Sequence, residues 1–429
     1  MNNLSQKDKE SIWHPFTPLS GATDPLLITR GEGIYLHTHD GRKIIDGISS
    51  WWVNLHGHAH PAIAKAVAEQ AEKLEHVIFA GFTHEPAIQL AENLLSILPS
   101  TFSKIFFSDN GSTAVEVALK MAMQYWHNKG IDKKKIIAIE GAYHGDTFGA
   151  MSVGDRSLFT TPFSPYLFDV AFIDFPDQEH EEKSLDQFKK LINKGDVGIF
   201  IYEPLIQAAG GMRMYSPSLL NSMLEFAQQH DVICIADEVF TGFGRTGKTL
   251  ASDHIHYKPD LIALSKGLTG GTLPLGVTAV NSKIVSAFKT PEFTKTFFHG
   301  HSFTANPIAC AAANASFKLL MNSKCQESIV AIAQSHDQFK REVSGNTVVK
   351  EIRNLGTILA IELKVSGASS YSNNLRKIIY NFFMERNILL RPLGNTFYIV
   401  APYCITATEL RHLYDTIKEF LNALPSLND

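Results

Sequence analysis

The chain has 429 residues, 39 Lys and Arg against 43 Asp and Glu, and a formal net charge of −4 at pH 7. That balance gives no electrostatic reason to expect a nucleic acid or an anionic membrane surface as partner. Hydrophobic residues at 45% and charged residues at 19% exclude a disordered or fibrous chain, and the length predicts more than one domain. No apolar stretch reaches membrane-spanning length, and polar residues 1–10 hold no signal-peptide core, so a cytoplasmic protein is expected. The four cysteines (Cys234, Cys310, Cys325, Cys404) lack CxxC spacing and read as reduced thiols.

In chain order, Gly31–Leu36 and Arg42–Asp46 are short strand candidates, and Asp40-Gly41 between them predicts a hairpin. Trp51-Trp52 is a rare pair that spacing alone reads as a core anchor. His56, His58 and His60 share a glycine-bearing loop that cannot easily supply tetrahedral geometry, so no metal site is expected there, at His37/His39 or at His299/His301. Lys104–Ser108 reads as a strand, Asp109–Thr113 as a turn, and Ala114, Val117, Ala118, Met121, Ala122 and Tyr125 as the apolar stripe of a following helix. Gly111 and Ser112 at that helix start make an anion cup of free N–H groups and hydroxyls, although Ser112 or Thr113 could equally be a plain N-cap.

Ile136–Ile139 and Val197–Tyr202 are further strands, the second closed by Glu203. A helix is predicted over Pro217–Gln229, then a buried strand over Val232–Ala236 that ends in Asp237-Glu238. A glycine-rich loop, Gly242–Gly247, precedes the strand Asp260–Leu264, which delivers Ser265-Lys266-Gly267. A carboxylate at the carboxyl end of one strand and a lysine at the end of the next is what pyridoxal phosphate requires. The lysine bonds to the cofactor aldehyde, and the aspartate keeps the pyridine nitrogen protonated so that the ring accepts electrons. Ala305–Leu320 is a small-residue-rich helix, and helix, strand and helix follow from about residue 326.

The joint pattern resembles the class III aminotransferases of PLP fold type I. The likeness covers nearly the whole chain, through Trp51-Trp52, Tyr143–Met151, Gly210–Tyr215, Asp237, Lys266 and Asn306–Asn314. It implies an aspartate aminotransferase-like α/β fold: a large domain with a mostly parallel sheet, about residues 56–325, and a smaller α+β domain from 1–55 and 326–429. It implies Lys266 as the catalytic residue, with Gly111, Ser112, Tyr143, Asp237, Val239 and Ser302 holding the cofactor. Tyr143 and Val239 would lie on opposite ring faces, and Glu203 and Gln207 would lie near the ring; His144, taken by itself, reads as a satisfied structural histidine. Ser302 would reach the phosphate of a neighbouring subunit, which makes a homodimer the expected assembly. Substrate contacts are expected from Phe16, Trp51, Trp52, Tyr143, Asp146, Gly300, Arg391 and Tyr398.

Within the family, the resemblance is to members that aminate 7-keto-8-aminopelargonate in biotin synthesis. S-adenosylmethionine is the expected donor and lysine the alternative. Phe16, where some members have Tyr, and His301-Ser302, where many have Pro-Thr, are departures that bear on the donor. An ω-amino-acid aminotransferase and a PLP-binding protein without transfer activity are the competing readings.

Overall fold

The computed structural model describes residues 2–364 and 374–427. Positions 365–373 and 428–429 of the expected 326–429 segment lie outside the described residues. A seven-stranded sheet organises the molecule, in the order Phe102–Ser108, Gly276–Asn281, Leu261–Leu264, Ile233–Asp237, Val197–Tyr202, Lys135–Ile139 and Ala171–Ile173. Gly276–Asn281 runs antiparallel to both neighbours, and the other pairings are parallel. This is the PLP fold type I architecture that the resemblance implied.

The central strands are buried on both faces, which is why they read as unbroken apolar runs. Alternation still sorts their side chains. Ile199, Ile201, Ile233, Ile235, Leu261 and Ala263 face the cluster that includes Ala114, Val117 and Ala118 of the helix Gly111–Lys129. Phe200, Tyr202, Cys234, Ala236, Ile262 and Leu264 face the larger core on the other side.

The predicted helix forms over Pro217–Gln229, with Ser216 as N-cap accepting from Leu219 N–H at 3.1 Å and Pro217 in its first turn. The central strand is Ile233–Asp237, so Asp237 is its last residue. The stretch 154–188, which carries no clear sequence signal, contributes the edge strand Ala171–Ile173 and most of the helix Glu181–Ile192. The small-residue helix Pro307–Leu320 packs against helices Pro61–Lys73 and Glu85–Ile97.

A four-stranded sheet joins the two ends of the chain: Ile28–Glu32, Tyr35–Thr38 and Lys43–Asp46, then Ile388–Leu389 parallel to the last. The Asp40-Gly41 turn lies between Tyr35–Thr38 and Lys43–Asp46, which pair antiparallel as expected. A three-stranded antiparallel sheet, Val349–Leu355, Ile358–Leu363 and Thr396–Ile399, carries the remainder.

Candidate active site

Five strands send their carboxyl-terminal residues or following loops to one place. Phe102–Ser108 leads to Asn110 and Gly111, Lys135–Ile139 to Tyr143 and His144, and Val197–Tyr202 to Glu203. Ile233–Asp237 ends on Asp237, and Leu261–Leu264 leads through Ser265 to Lys266. These residues, with Trp52, Ser112, Val239 and Phe240, line a cavity of about 630 Å³. Its place outside the strand ends is where open α/β sheets bind ligands.

Lys266 sits with φ at +44°, and its Nζ lies 4.6 Å from the Trp52 ring centroid and 5.7 Å from that of Phe240. Burial against these apolar faces lowers its pKa from 10.5 to about 8, more than the charges of Asp237 and Glu203 restore. The neutral amine therefore exists at lower pH than for a solvated lysine. In cofactor-free protein, reductive methylation of Lys266 should accelerate about tenfold per pH unit below 8 and level off above it. Peptide mass mapping reads the rate, and an inflection near 10.5 would show that the side chain is not desolvated.

Asp237 Oδ1 accepts from Val239 N–H at 3.0 Å, and Oδ2 lies 2.6 Å from Nδ1 of the buried His144. Burial opposes charging of His144, but the hydrogen bond and charge of Asp237, with Glu203 nearby, raise its pKa overall. Glu203 is buried and accepts from Tyr143 and Ala208 N–H groups, each at 3.0 Å. Burial pushes its pKa up to about 7. The adjacent Glu238 turns the other way, its carboxylate capping Ala251 and Ser252 N–H at 2.7 and 2.8 Å.

The helix Gly111–Lys129 is capped by Asn110, which accepts from Thr113 N–H while the Thr113 hydroxyl accepts from Asn110 N–H, both at 3.0 Å. Neither Ser112 nor Thr113 is the N-cap, so the first N–H groups at Gly111 and Ser112 stay open toward the cavity. Two glycines keep that end clear. A Cβ on Gly111 would fall 2.7 Å from Val239 Cγ1, and one on Gly145, whose φ is +126°, 2.0 Å from Ser112 Oγ. The loop that carries Tyr143 and His144 is fixed by Glu116, which accepts from Thr147 Oγ1 and from Gly149 and Ala150 N–H.

A second cavity of about 740 Å³ opens beside the first and shares Trp52, Tyr143, Asp146 and Lys266 with it. Phe16, Trp51, Arg391 and Tyr398 also line it. The Arg391 guanidinium stacks 4.5 Å over the Trp51 ring, and Phe16 packs 5.6 Å from the same ring. Trp52 Nε1 donates to Tyr398 Oη at 3.1 Å. Among the described residues no carboxylate pairs with Arg391 within 4.0 Å. Residues Ser49 to Trp52 carry these indoles on a left-handed backbone, with φ from +47° to +78°, a conformation that costs roughly 1–2 kcal/mol per non-glycine residue.

Two expectations need adjustment. His144 is more than a structural histidine, because it touches the Asp237 carboxylate. Gln207 does not line the first cavity; its amide donates to Glu140 O at 3.1 Å and accepts from Arg213 at 2.6 Å. Gly300 and Ser302 are exposed and lie outside both cavities of their own chain. The histidines find protein partners: His56 meets Ser316 Oγ at 3.1 Å, His58 meets Asp46 at 2.9 Å, and His299 meets His301 at 3.0 Å. Sequence reasoning missed Arg245, whose buried guanidinium donates to the Ala401, Trp52 and Asn54 carbonyls at 3.0 to 3.2 Å. Its position in the Gly242–Gly247 loop was the available signal.

A primary amine, a carboxylate across the cavity from it and an anion cup kept clear by glycines together fit pyridoxal phosphate. The family model described as Aminotransferase class-III matches residues 19–421. The chain belongs to the class-III aminotransferases. It is accordingly a PLP-dependent transaminase, and the first cavity fits the cofactor that the family uses.

A relative from Synechococcus elongatus is 48% identical over 422 residues, spanning 96% of this chain and 99% of its own. One from Buchnera aphidicola is 36% identical over 428 residues, with 98% of each chain covered. Both are named adenosylmethionine-8-amino-7-oxononanoate aminotransferase. A crystal structure under the same name from Methanocaldococcus jannaschii superposes with a TM-score of 0.92 at 36% identity, covering 98% of each chain. No helix of the described residues is long and apolar enough to cross a membrane.

Proposed function

We propose that this aminotransferase converts 7-keto-8-aminopelargonate (8-amino-7-oxononanoate) to 7,8-diaminopelargonate in biotin synthesis, with S-adenosylmethionine as amino donor. The observation that carries the reading is the second cavity. It offers aromatic walls and the Arg391 guanidinium within a space that opens onto Lys266, while the second arginine in its lining, Arg213, is held by Glu140 O and Gln207. A keto acid with its carboxylate at the far end of an aliphatic chain matches that order of groups. The full-length likeness to the Synechococcus relative supports the same substrate.

Bound in the first cavity, pyridoxal phosphate supplies an aldehyde that carries the amino group and a ring that withdraws electrons. Gly111 and Ser112 N–H groups would hold its phosphate, and Tyr143 and Val239 would bracket its ring. Asp237 would present a carboxylate oxygen to the ring nitrogen, with His144 Nδ1 2.6 Å away to steady that carboxylate. Lys266 Nζ, with its lowered pKa, takes and returns the proton at the substrate carbon near neutral pH. Trp52 and Phe240 keep water from that amine. Arg391 holds the substrate carboxylate, with Phe16, Trp51, Asp146 and Tyr398 shaping the space around it.

Ser302 and Gly300 serve the site of a second subunit in a homodimer, which accounts for their exposure here. The small domain is assigned to 1–55 and 326–429, and the large domain to 56–325. Four free cysteines suit a reducing cytoplasm. Lysine as donor is a second reading, favoured by Phe16, which brings no hydroxyl to its contact with Trp51.

Expression in a bacterium lacking its own diaminopelargonate-forming enzyme should restore growth without biotin; failure to restore it would point to another ω-amino substrate. Arg391→Ala should raise KM for the keto acid about 10- to 100-fold with a smaller change in kcat, the loss expected for one charged hydrogen-bonding partner. An unchanged KM in steady-state assays would remove Arg391 from the substrate site.

A further inference from the structure

Ser49, Ser50, Trp51 and Trp52 have φ angles of 51°, 47°, 78° and 72° in succession. Together they make one turn of left-handed helix without a glycine, closed by Trp52 N–H to Ile48 O and Val53 N–H to Ser49 O. Each Cβ disfavours that conformation, so bonds from outside the turn must hold it. The turn decides where both indoles stand, Trp51 beneath Arg391 and Trp52 beside Lys266.

Two outside bonds fall at the ends of the turn, Ser49 Oγ to Val400 O at 2.7 Å and Arg245 to Trp52 O at 3.2 Å; those at its middle and entry converge on Asp46, which is fully buried at the end of the strand Lys43–Asp46. Its Oδ1 accepts from Ile48 N–H at 3.3 Å, and its Oδ2 accepts from the Ser50 hydroxyl at 2.6 Å. His58 Nε2 lies 2.9 Å from the same Oδ2, and His58 Nδ1 lies 3.1 Å from Asn54 Nδ2. The amide can only donate to Nδ1, so Nε2 bears the hydrogen and donates to Asp46. His58 is itself tied to the N-terminal hairpin, through its N–H to Gly33 O at 2.7 Å. None of Asp46, Ser50 and His58 lines either cavity.

We propose that Asp46, Ser50 and His58 are positioning residues whose hydrogen-bond chain locks the left-handed turn and thereby sets the shape of the substrate cavity. Part of the test rests on the proposed substrate and part does not. The PLP-bound enzyme is compared with Ser50→Ala and Ser50→Gly. Both variants lose the hydroxyl, but only glycine loses the Cβ that makes a φ of +47° unfavourable.

Hydrogen exchange of the peptide spanning Trp51–Asn54 reads the turn without any substrate. In Ser50→Ala it should quicken on the order of tenfold, and KM for 7-keto-8-aminopelargonate should rise by a similar factor, because the competent conformer is less populated. The change in kcat should be smaller and the cofactor absorbance unaltered. Ser50→Gly should lie between wild type and Ser50→Ala on both readouts.

Unaltered exchange in Ser50→Ala, or a glycine variant as impaired as the alanine one, overturns the lock. Faster exchange with an unchanged KM overturns its link to the cavity. If the wild type itself does not turn over this keto acid, the proposed substrate is wrong and the exchange data alone judge the lock.

Discussion

Replacing Lys266 with alanine is expected to abolish steady-state transamination, a loss on the order of 10⁴-fold or more, because two functions go at once. The first is the covalent hold on the cofactor aldehyde. The second is proton transfer at the substrate carbon, for which the side chain is tuned: burial brings its pKa to about 8, so roughly a tenth of it is free amine at neutral pH. The rings that pack against its amine, Trp52 and Phe240, carry no base. The measurement is turnover of purified Lys266→Ala beside its cofactor absorbance. Retained cofactor with no turnover, partly rescued by a small added amine, is the expected result. Normal turnover would mean that the base lies elsewhere.

Asp237→Asn should lower kcat by roughly 10²- to 10³-fold with KM values nearly unchanged. The substitution keeps the shape and one acceptor oxygen but removes the charge that the ring nitrogen needs. It also leaves His144 Nδ1, 2.6 Å away, without its carboxylate partner. His144 is buried and raised in pKa by that carboxylate, so its imidazole should titrate at lower pH in the variant. Steady-state kinetics and histidine NMR titration check the two halves separately. A kcat within threefold of wild type would show that Asp237 does not govern the chemistry.

Much of this site was legible because parallel strands buried on both faces announce themselves as apolar runs, and their carboxyl ends place whatever residue follows. Asp237, Lys266 and Glu203 were found that way, and the Gly111 helix by its stripe. His144 was undervalued because its partner Asp237 is 93 positions away in sequence, and no local pattern shows that the two loops meet. Arg245 went unremarked for the same reason, since its targets are backbone carbonyls of Trp52, Asn54 and Ala401. The left-handed turn of Ser49–Trp52 is illegible in principle, because the residues that usually flag positive φ are absent and distant hydrogen bonds impose it. The edge strand Ala171–Ile173 is three residues long, too short to show a period. Gly300 and Ser302 are exposed in the single chain, and the role proposed for them lies in the site of a second subunit.

The most direct test of the central claim is a donor screen on the purified enzyme with pyridoxal phosphate and 7-keto-8-aminopelargonate. S-adenosylmethionine, lysine and alanine are supplied in turn, and 7,8-diaminopelargonate is followed by mass spectrometry. Product with S-adenosylmethionine is the predicted result. Product with lysine alone would keep the acceptor and replace the donor, assigning Phe16 to a lysine-using pocket. No product with any of the three would contradict the account and turn attention to other ω-amino acids as substrates.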